Sequence, residues 1–339
     1  MGIWWRAFRF HFVPPSFLPS FLGGFMAWTI YNEFHLGYFL LTVIGVTINH
    51  IALNMTDDYF DFRHSVDRAK DREKNPYSGG SGMLTGGLIK SEQMRRAFII
   101  GYFITILIGL YLTAMRGWTV LLFGAFGMAC SYFYTAPPIQ YGYRGFGEIS
   151  QLINFSFTIG MGSFFVQVQR LSWEALLVVL PLGFMMFSMI TINEIPDEKD
   201  DRTAGKLNLV VRFGTKTAVW LYGFSLLLAY IIIIISPIMG MTSYLIYLSL
   251  VTIFLSIKSF NILYQNYHDP LKMAPANLLT IRIHNLTGIL LIAAYFIQGI
   301  FNQRNIAQMW IPLMILVIIY SPVALTVFFN RRPLKAENN

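Results

Sequence analysis

Apolar residues in this 339-residue chain gather into ten long runs, at about 14–32, 37–57, 96–114, 117–134, 147–167, 173–194, 215–235, 243–263, 282–301 and 308–329. Each is near the ~20 residues that a helix needs to cross a hydrocarbon layer. No water is available there to satisfy a backbone amide, so a segment of this length must bond to itself as a helix. The expected fold is all-α: a polytopic transmembrane helical bundle, with residues 1–339 forming a single domain. Composition agrees, since 55% of the residues are hydrophobic and only 12% charged. A soluble domain carries roughly 25% charged residues and needs them to cover its surface. A soluble enzyme and a disordered chain are thereby excluded. So is a disulfide scaffold, because Cys130 is the single cysteine.

The formal charge of +8 raises the question of a nucleic-acid partner, and the distribution of the cations answers it. With the N-terminus in the cytoplasm, all but three of the 25 Lys and Arg (Arg116, Arg170 and Arg304) fall in cytoplasmic segments. That is the positive-inside bias of a membrane protein. No nucleic-acid partner is expected, and both termini are placed in the cytoplasm. Residues 1–13 mix Trp4, Trp5, Phe8, Phe10 and Phe12 with Arg6 and Arg9. They lack the apolar core and small-residue cleavage site of a signal peptide and are expected to lie in the membrane interface. The polar stretches, at about 58–95, 195–214 and 264–281, are all on the cytoplasmic side.

Acidic residues are concentrated rather than spread. Of 17 Asp and Glu, six lie between 57 and 73 and five between 194 and 201, at the cytoplasmic ends of the second and sixth runs. Carboxylates at the edge of a bilayer are costly and tend to be functional. Asn54, Asp58 and Asp61 stand at i, i+4 and i+7, on one helix face. Asn193, Asp197 and Asp201 stand at i, i+4 and i+8, with Pro196 expected to kink the helix between them. Two such clusters facing each other repel unless a cation lies between, and a hard divalent ion with oxygen ligands, such as Mg²⁺, fits that gap. Arg68 and Lys74 after the first cluster, and Arg202 and Lys206 after the second, suit an anionic ligand such as a diphosphate. A cation- or proton-coupled transporter is the rival reading. Its acids, however, belong near the bilayer midplane, whereas these lie at helix ends beside basic loops.

The run Asn54-Met-Thr-Asp-Asp-Tyr-Phe-Asp-Phe-Arg-His-Ser-Val-Asp67 resembles the first aspartate-rich motif of the UbiA superfamily of intramembrane prenyltransferases. Asn193-Glu-Ile-Pro-Asp-Glu-Lys-Asp-Asp-Arg-Thr-Ala-Gly-Lys206 is similar to its second. Within the superfamily, Tyr134-Thr135 and Tyr141-Gly-Tyr-Arg-Gly-Phe-Gly-Glu148 resemble the 1,4-dihydroxy-2-naphthoate polyprenyltransferases of menaquinone synthesis. The resemblance covers about residues 10–301. It implies Mg²⁺ held by Asn54, Asp58, Asp61, Asp67, Asn193, Asp197 and Asp201, with the four aspartates of the two helix faces catalytic. It further implies a diphosphate bound by Arg68, Lys74, Arg202 and Lys206, and an acceptor pocket near Tyr134, Tyr141, Arg144 and Glu148. The partners implied are an isoprenyl diphosphate donor, an aromatic or lipid acceptor and membrane lipid. In the Tyr134 loop this chain reads Thr-Ala-Pro-Pro-Ile-Gln, where relatives often carry glycines or a basic residue. The family is usually described with nine transmembrane helices. The tenth run, 308–329, carries no motif and is expected to serve packing or oligomerisation.

Other features are weaker. Ser78–Gly87 is glycine-rich but fits no phosphate-loop pattern, and it can equally wrap an anion or cap the cytoplasmic entrance. His64, His268 and His284 lack metal-ligand spacing and read as ordinary loop or helix residues.

Overall fold

The computed structural model of the chain describes residues 2–9, 13–64, 66, 75 and 77–329. A short helix, α1 (Ile3–Ala7), precedes α2 (Pro14–Tyr31), α3 (Leu36–Arg63), α4 (Ser91–Arg116) and α5 (Trp118–Tyr132). There follow α6 (Gly147–Val168), α7 (Trp173–Glu194), two short cytoplasmic-loop helices α8 (Glu198–Ala204) and α9 (Leu209–Phe213), and α10 (Thr215–Ile238). The chain continues through α11 (Tyr244–Asn266), α12 (Pro270–Phe301) and α13 (Trp310–Phe329). The described residues contain no strand. Every apolar run of the sequence is a helix, and seven of these helices are long and apolar enough to cross a membrane.

The bundle is built around α2. Phe21, Leu22, Phe25, Met26 and Trp28 are fully buried, and α2 packs on α6 and α12. On α4, by contrast, Ile99, Ile100, Phe103, Leu107 and Leu110 face outward. This inversion of a soluble fold is what a lipid surround requires. Polar side chains inside the bundle bond to one another: the Tyr222 hydroxyl meets Ser259 Oγ at 2.7 Å and Thr280 Oγ1 at 2.8 Å, joining α10, α11 and α12. In α13, the Tyr320 hydroxyl donates to the Pro14 carbonyl at 3.0 Å, tying the tenth run to the start of α2.

Helices α2, α6 and α7 come close because each presents a glycine to its neighbour, and a Cβ at Gly23 of α2 would sit 2.7 Å from the Gly160 carbonyl oxygen of α6. A Cβ at Gly160 would sit 2.7 Å from Val179, and one at Gly183 would sit 2.5 Å from the Leu152 carbonyl oxygen. Residues Asn154–Met161 of α6 form π-helical turns, a local widening often found at functional sites. Overpacking such a contact costs about 1–3 kcal/mol. Gly183→Ala is therefore expected to lower the thermal unfolding midpoint of the detergent-solubilised protein, while Gly109→Ala, where a Cβ meets nothing within 4 Å, leaves it in place. Equal midpoints would show that the helices can separate without loss.

One expectation changes and two helix bounds shift. Helix α7 ends at Glu194 and α8 begins at Glu198, so Pro196 ends the helix instead of kinking it, and Asn193 does not share a helix with Asp197 and Asp201. Helix α12 begins at Pro270, twelve residues before the apolar run at 282, so most of the polar stretch 264–281 is helical. Helix α3 reaches Arg63, so Asp58 and Asp61 are helical, as their spacing predicts, and the polar stretch from residue 58 opens within the helix.

Candidate active site

The face of α3 predicted from the i, i+4, i+7 spacing is present. Asn54, Asp58 and Asp61 are 8%, 4% and 5% exposed, pointing into the bundle at its motif-bearing end. Opposite them stand the end of α7 and the start of α8, where Asp201 is also buried. The two acidic clusters are held together by cations and by backbone donors. Lys206 Nζ lies 3.1 Å from Asp61 Oδ2, and the Tyr143 hydroxyl donates to Asp61 Oδ1 at 2.5 Å. Arg9 Nη1 lies 3.5 Å from Asp57 Oδ2 and 3.7 Å from Asp58 Oδ1. The glycine-rich loop straddles both clusters: Ser81 N–H donates to Asp58 Oδ1 and Gly79 N–H to Asp197 Oδ2, each at 3.0 Å.

Electrostatics follow from this burial. Burial pushes the Asp201 carboxyl up to about 7, against the pull of Lys206. For Lys206, burial opposes the charge, but Asp61 and Asp201 hold its ammonium well above the ordinary lysine value. Burial, then the Asp61 charge, raises the Tyr143 hydroxyl. Even so, the carboxylates of α3 are incompletely paired: Asp57 Oδ1 and Asp58 Oδ2 are buried without a hydrogen-bond partner. Buried carboxylate oxygens in this state call for a further cation, and the donor set, all oxygen, suits a hard divalent ion. No group of three His, Cys, Asp or Glu side chains is drawn tight enough to hold a metal among the described residues.

Beside the carboxylates a cavity of about 120 Å³ enters the bundle. Arg9, Asn54, Asp57 and Asn193 line it at the motif end. The rest of its wall is Leu53, Tyr134, Phe155, Met186, Met189 and Ile190, with His50 and Gln151 as the polar exceptions.

The remaining expected residues fall differently. Asn193 Oδ1 accepts from Asn277 Nδ2 at 2.8 Å. Arg202 is 58% exposed and spends its guanidinium on Glu198 and the Val211 carbonyl. Arg144 lies outside the cavity, bonded to the Pro138 carbonyl. Tyr141, bonded to the Cys130 carbonyl, lies outside the cavity as well. Glu148 is fully buried, and its Oε1 accepts the Leu209 N–H at 2.8 Å, so it anchors the start of α9. Asp67, Arg68 and Lys74 lie outside the described residues.

Three contributors escape sequence reasoning. Arg9 belongs to a segment that reads as interfacial, yet it reaches both acids of α3. Asp57, three residues after Asn54 and four before Asp61, shares their helix face, and that spacing is the signal that could have found it. Asn277, fully buried in α12, bonds both Asn193 and Asn75; an amide in an apolar helix is its only signal.

Similarity to known proteins identifies the family. The sequence profile of the UbiA prenyltransferase family matches residues 16–286. The chain belongs to the UbiA prenyltransferase family. It is a prenyltransferase and a multi-pass integral membrane protein. The UbiA chain is similar to 1,4-dihydroxy-2-naphthoate octaprenyltransferase of Bacillus subtilis, 30% identical over 241 residues, covering 71% of this chain and 75% of that one. The protein of the same description from Escherichia coli is 29% identical over 221 residues, covering 63% and 70%. Among solved structures, a UbiA homolog from Aeropyrum pernix aligns with a TM-score of 0.63 at 14% identity, over 83% of this chain and 97% of that one. A UbiA homolog from Archaeoglobus fulgidus bound to GPP and Mg²⁺ aligns at 0.59 and 16% identity, over 86% and 100%. At these identities the structures speak for the shared fold.

Proposed function

We propose that this UbiA protein transfers a polyprenyl group from an isoprenyl diphosphate to 1,4-dihydroxy-2-naphthoate, with Mg²⁺ as cofactor, in menaquinone synthesis. One observation carries the reading: two carboxylate clusters, one with unpartnered oxygens on Asp57 and Asp58, converge at the mouth of an apolar cavity that also carries Arg9. The naphthoate acceptor is taken from the similarity to the named relatives.

Asn54, Asp58, Asp61, Asn193, Asp197 and Asp201 would hold the Mg²⁺, which when bound neutralises diphosphate charge. Arg9 and Lys206 add fixed positive charge where the leaving group gathers electrons as the allylic C–O bond breaks. The inner wall excludes water from the allylic cation, and the Tyr134 ring offers it an electron-rich face. The isoprenoid tail lies among apolar side chains or in lipid, which is why the catalyst sits in the membrane. The glycine-rich loop, through Gly79 and Ser81, closes the motif end.

The test is incubation of the purified protein in lipid nanodiscs with Mg²⁺, geranylgeranyl diphosphate and a panel of acceptors, read by mass spectrometry. The panel comprises 1,4-dihydroxy-2-naphthoate, 4-hydroxybenzoate, homogentisate, a porphyrin and geranylgeranylglyceryl phosphate. Prenylated naphthol with diphosphate release is expected. Ion flux in proteoliposomes with no product would favour a transporter. For orientation, the positive-inside distribution places both termini in the cytoplasm. Ala336→Cys in a Cys130→Ser background is then labelled by an impermeant thiol reagent only after the membrane is opened. Labelling in intact cells would reverse the orientation.

A further inference from the structure

The inner end of the cavity is not built for hydrocarbon. His50 lies in its wall, on the same face of α3 as Asn54, Asp57 and Asp61 and two helical turns deeper than Asp57. Its Nδ1 is hydrogen-bonded to Ser16 Oγ of α2, which fixes the ring and leaves Nε2 for whatever occupies the cavity. Phe155 lines the same space and sets its ring edge-on to His50 at 6.1 Å and to His284 at 6.4 Å. Gln151 of α6, in the same wall, adds a second polar side chain. An isoprenoid tail can satisfy none of these groups, and placing them against one is costly. The occupant of this end therefore carries hydrogen-bonding groups. Of the two substrates of a prenyl transfer, once the diphosphate is at the carboxylates, only the aromatic acceptor has such groups to offer.

The distance supports the same order. Eight residues of helix separate His50 from Asp58, about 12 Å at 1.5 Å per residue. That interval takes the allylic C1 next to the carboxylates and an aromatic ring between C1 and the imidazole.

We propose that His50 takes the proton from a ring hydroxyl of the acceptor during prenyl transfer, and that Ser16 positions its imidazole for this. The inference rests on the proposed aromatic-acceptor reading and deepens it. As Nε2 takes the hydroxyl proton, the electrons of the O–H bond enter the ring. The ring carbon that bears the carboxyl group, ortho to that oxygen, forms a bond to C1 of the donor, and the C1–O electron pair leaves with diphosphate. The resulting ring ketone loses its carboxyl group as CO₂. The pair of the broken C–C bond stays in the ring, and the imidazolium returns its proton to the oxygen. Proton transfer of this kind contributes on the order of 10²–10⁴-fold in rate.

The experiment uses the full chain in nanodiscs with Mg²⁺ and geranylgeranyl diphosphate. It compares 1,4-dihydroxy-2-naphthoate with its ether methylated at the hydroxyl beside the carboxyl group. In His50→Gln and His50→Phe, kcat for the free hydroxyl is expected to fall on the order of 10²-fold while donor KM stays within about threefold. The methyl ether, having no proton to give, is slow in the parent and is not slowed further, so the variants lose the parent's preference between the two. Ser16→Ala keeps the imidazole and loses its anchor, with a smaller fall in kcat and the same unchanged donor KM. It serves as the test should a His50 variant not fold. Variants with parental kcat, or an equal fall for both acceptors, would overturn the assignment and leave prenyl transfer standing. A parent protein that prenylates no aromatic acceptor would overturn the proposed function and this inference with it.

Discussion

Replacing Asp58, Asp61, Asp197 or Asp201 with Asn is expected to lower kcat on the order of 10³-fold in each case, and chelation with EDTA to abolish turnover in the parent. Each substitution keeps the side-chain volume and removes one negative charge from the mouth of the cavity, where diphosphate charge must be held in the transition state. Loss of one such stabilising group typically costs on the order of 10²–10³-fold. The measurement is prenylated product and released diphosphate, with thermal unfolding as the check on folding. Asp58→Asn leaves Asp57 and its Arg9 contact in place, so its fold should survive. Activity that persists in EDTA, or in two of the four variants, would remove the carboxylates from the chemistry.

Lys206→Met is expected to cost more in stability than any other single change near the site. Its ammonium is 3.1 Å from Asp61, and the residue is 9% exposed. Methionine fills similar space but leaves Asp61, and Asp201 across from it, without their cation. Breaking a buried pair by removing one partner costs about 3–5 kcal/mol. The unfolding midpoint should fall accordingly, and it should recover in the double variant Lys206→Met/Asp61→Asn, where the orphaned charge is gone. Millimolar Mg²⁺ is expected to restore part of the stability of the single variant, because a divalent ion can replace the missing positive charge. A single variant as stable as the parent would mean that Asp61 finds another partner.

Much of this protein is legible in its sequence. Ten apolar runs dictate ten helices because backbone amides in lipid have no other partner, and the bounds differ by only a few residues at most ends. The i, i+4, i+7 spacing of Asn54, Asp58 and Asp61 places them on one face because helical periodicity is a local property. The concentration of acids at two run ends marks the site, since unpaired charge at a bilayer edge is too costly to be incidental. Pro196 is consistent with either a kink or a helix end, and it is a helix end. With α8 restarting at Glu198, the local sequence alone does not decide between the two.

What only the tertiary structure decides are the pairings across long separations. Arg9 reaches Asp57 and Asp58, Gly79 reaches Asp197, and Asn277 reaches both Asn75 and Asn193. Arg144 lies outside the cavity, and Glu148 accepts the Leu209 N–H at the start of α9. Which residues surround the cavity depends on how closely α6 and α7 approach, and that is set by Gly160 and Gly183 at their contact and by the π-helical turns of α6. Periodicity tells a residue which face of its own helix it occupies. Which other helix that face meets depends on packing among segments far apart in the chain, and the hydrophobic pattern of each segment taken alone is the same for many such arrangements.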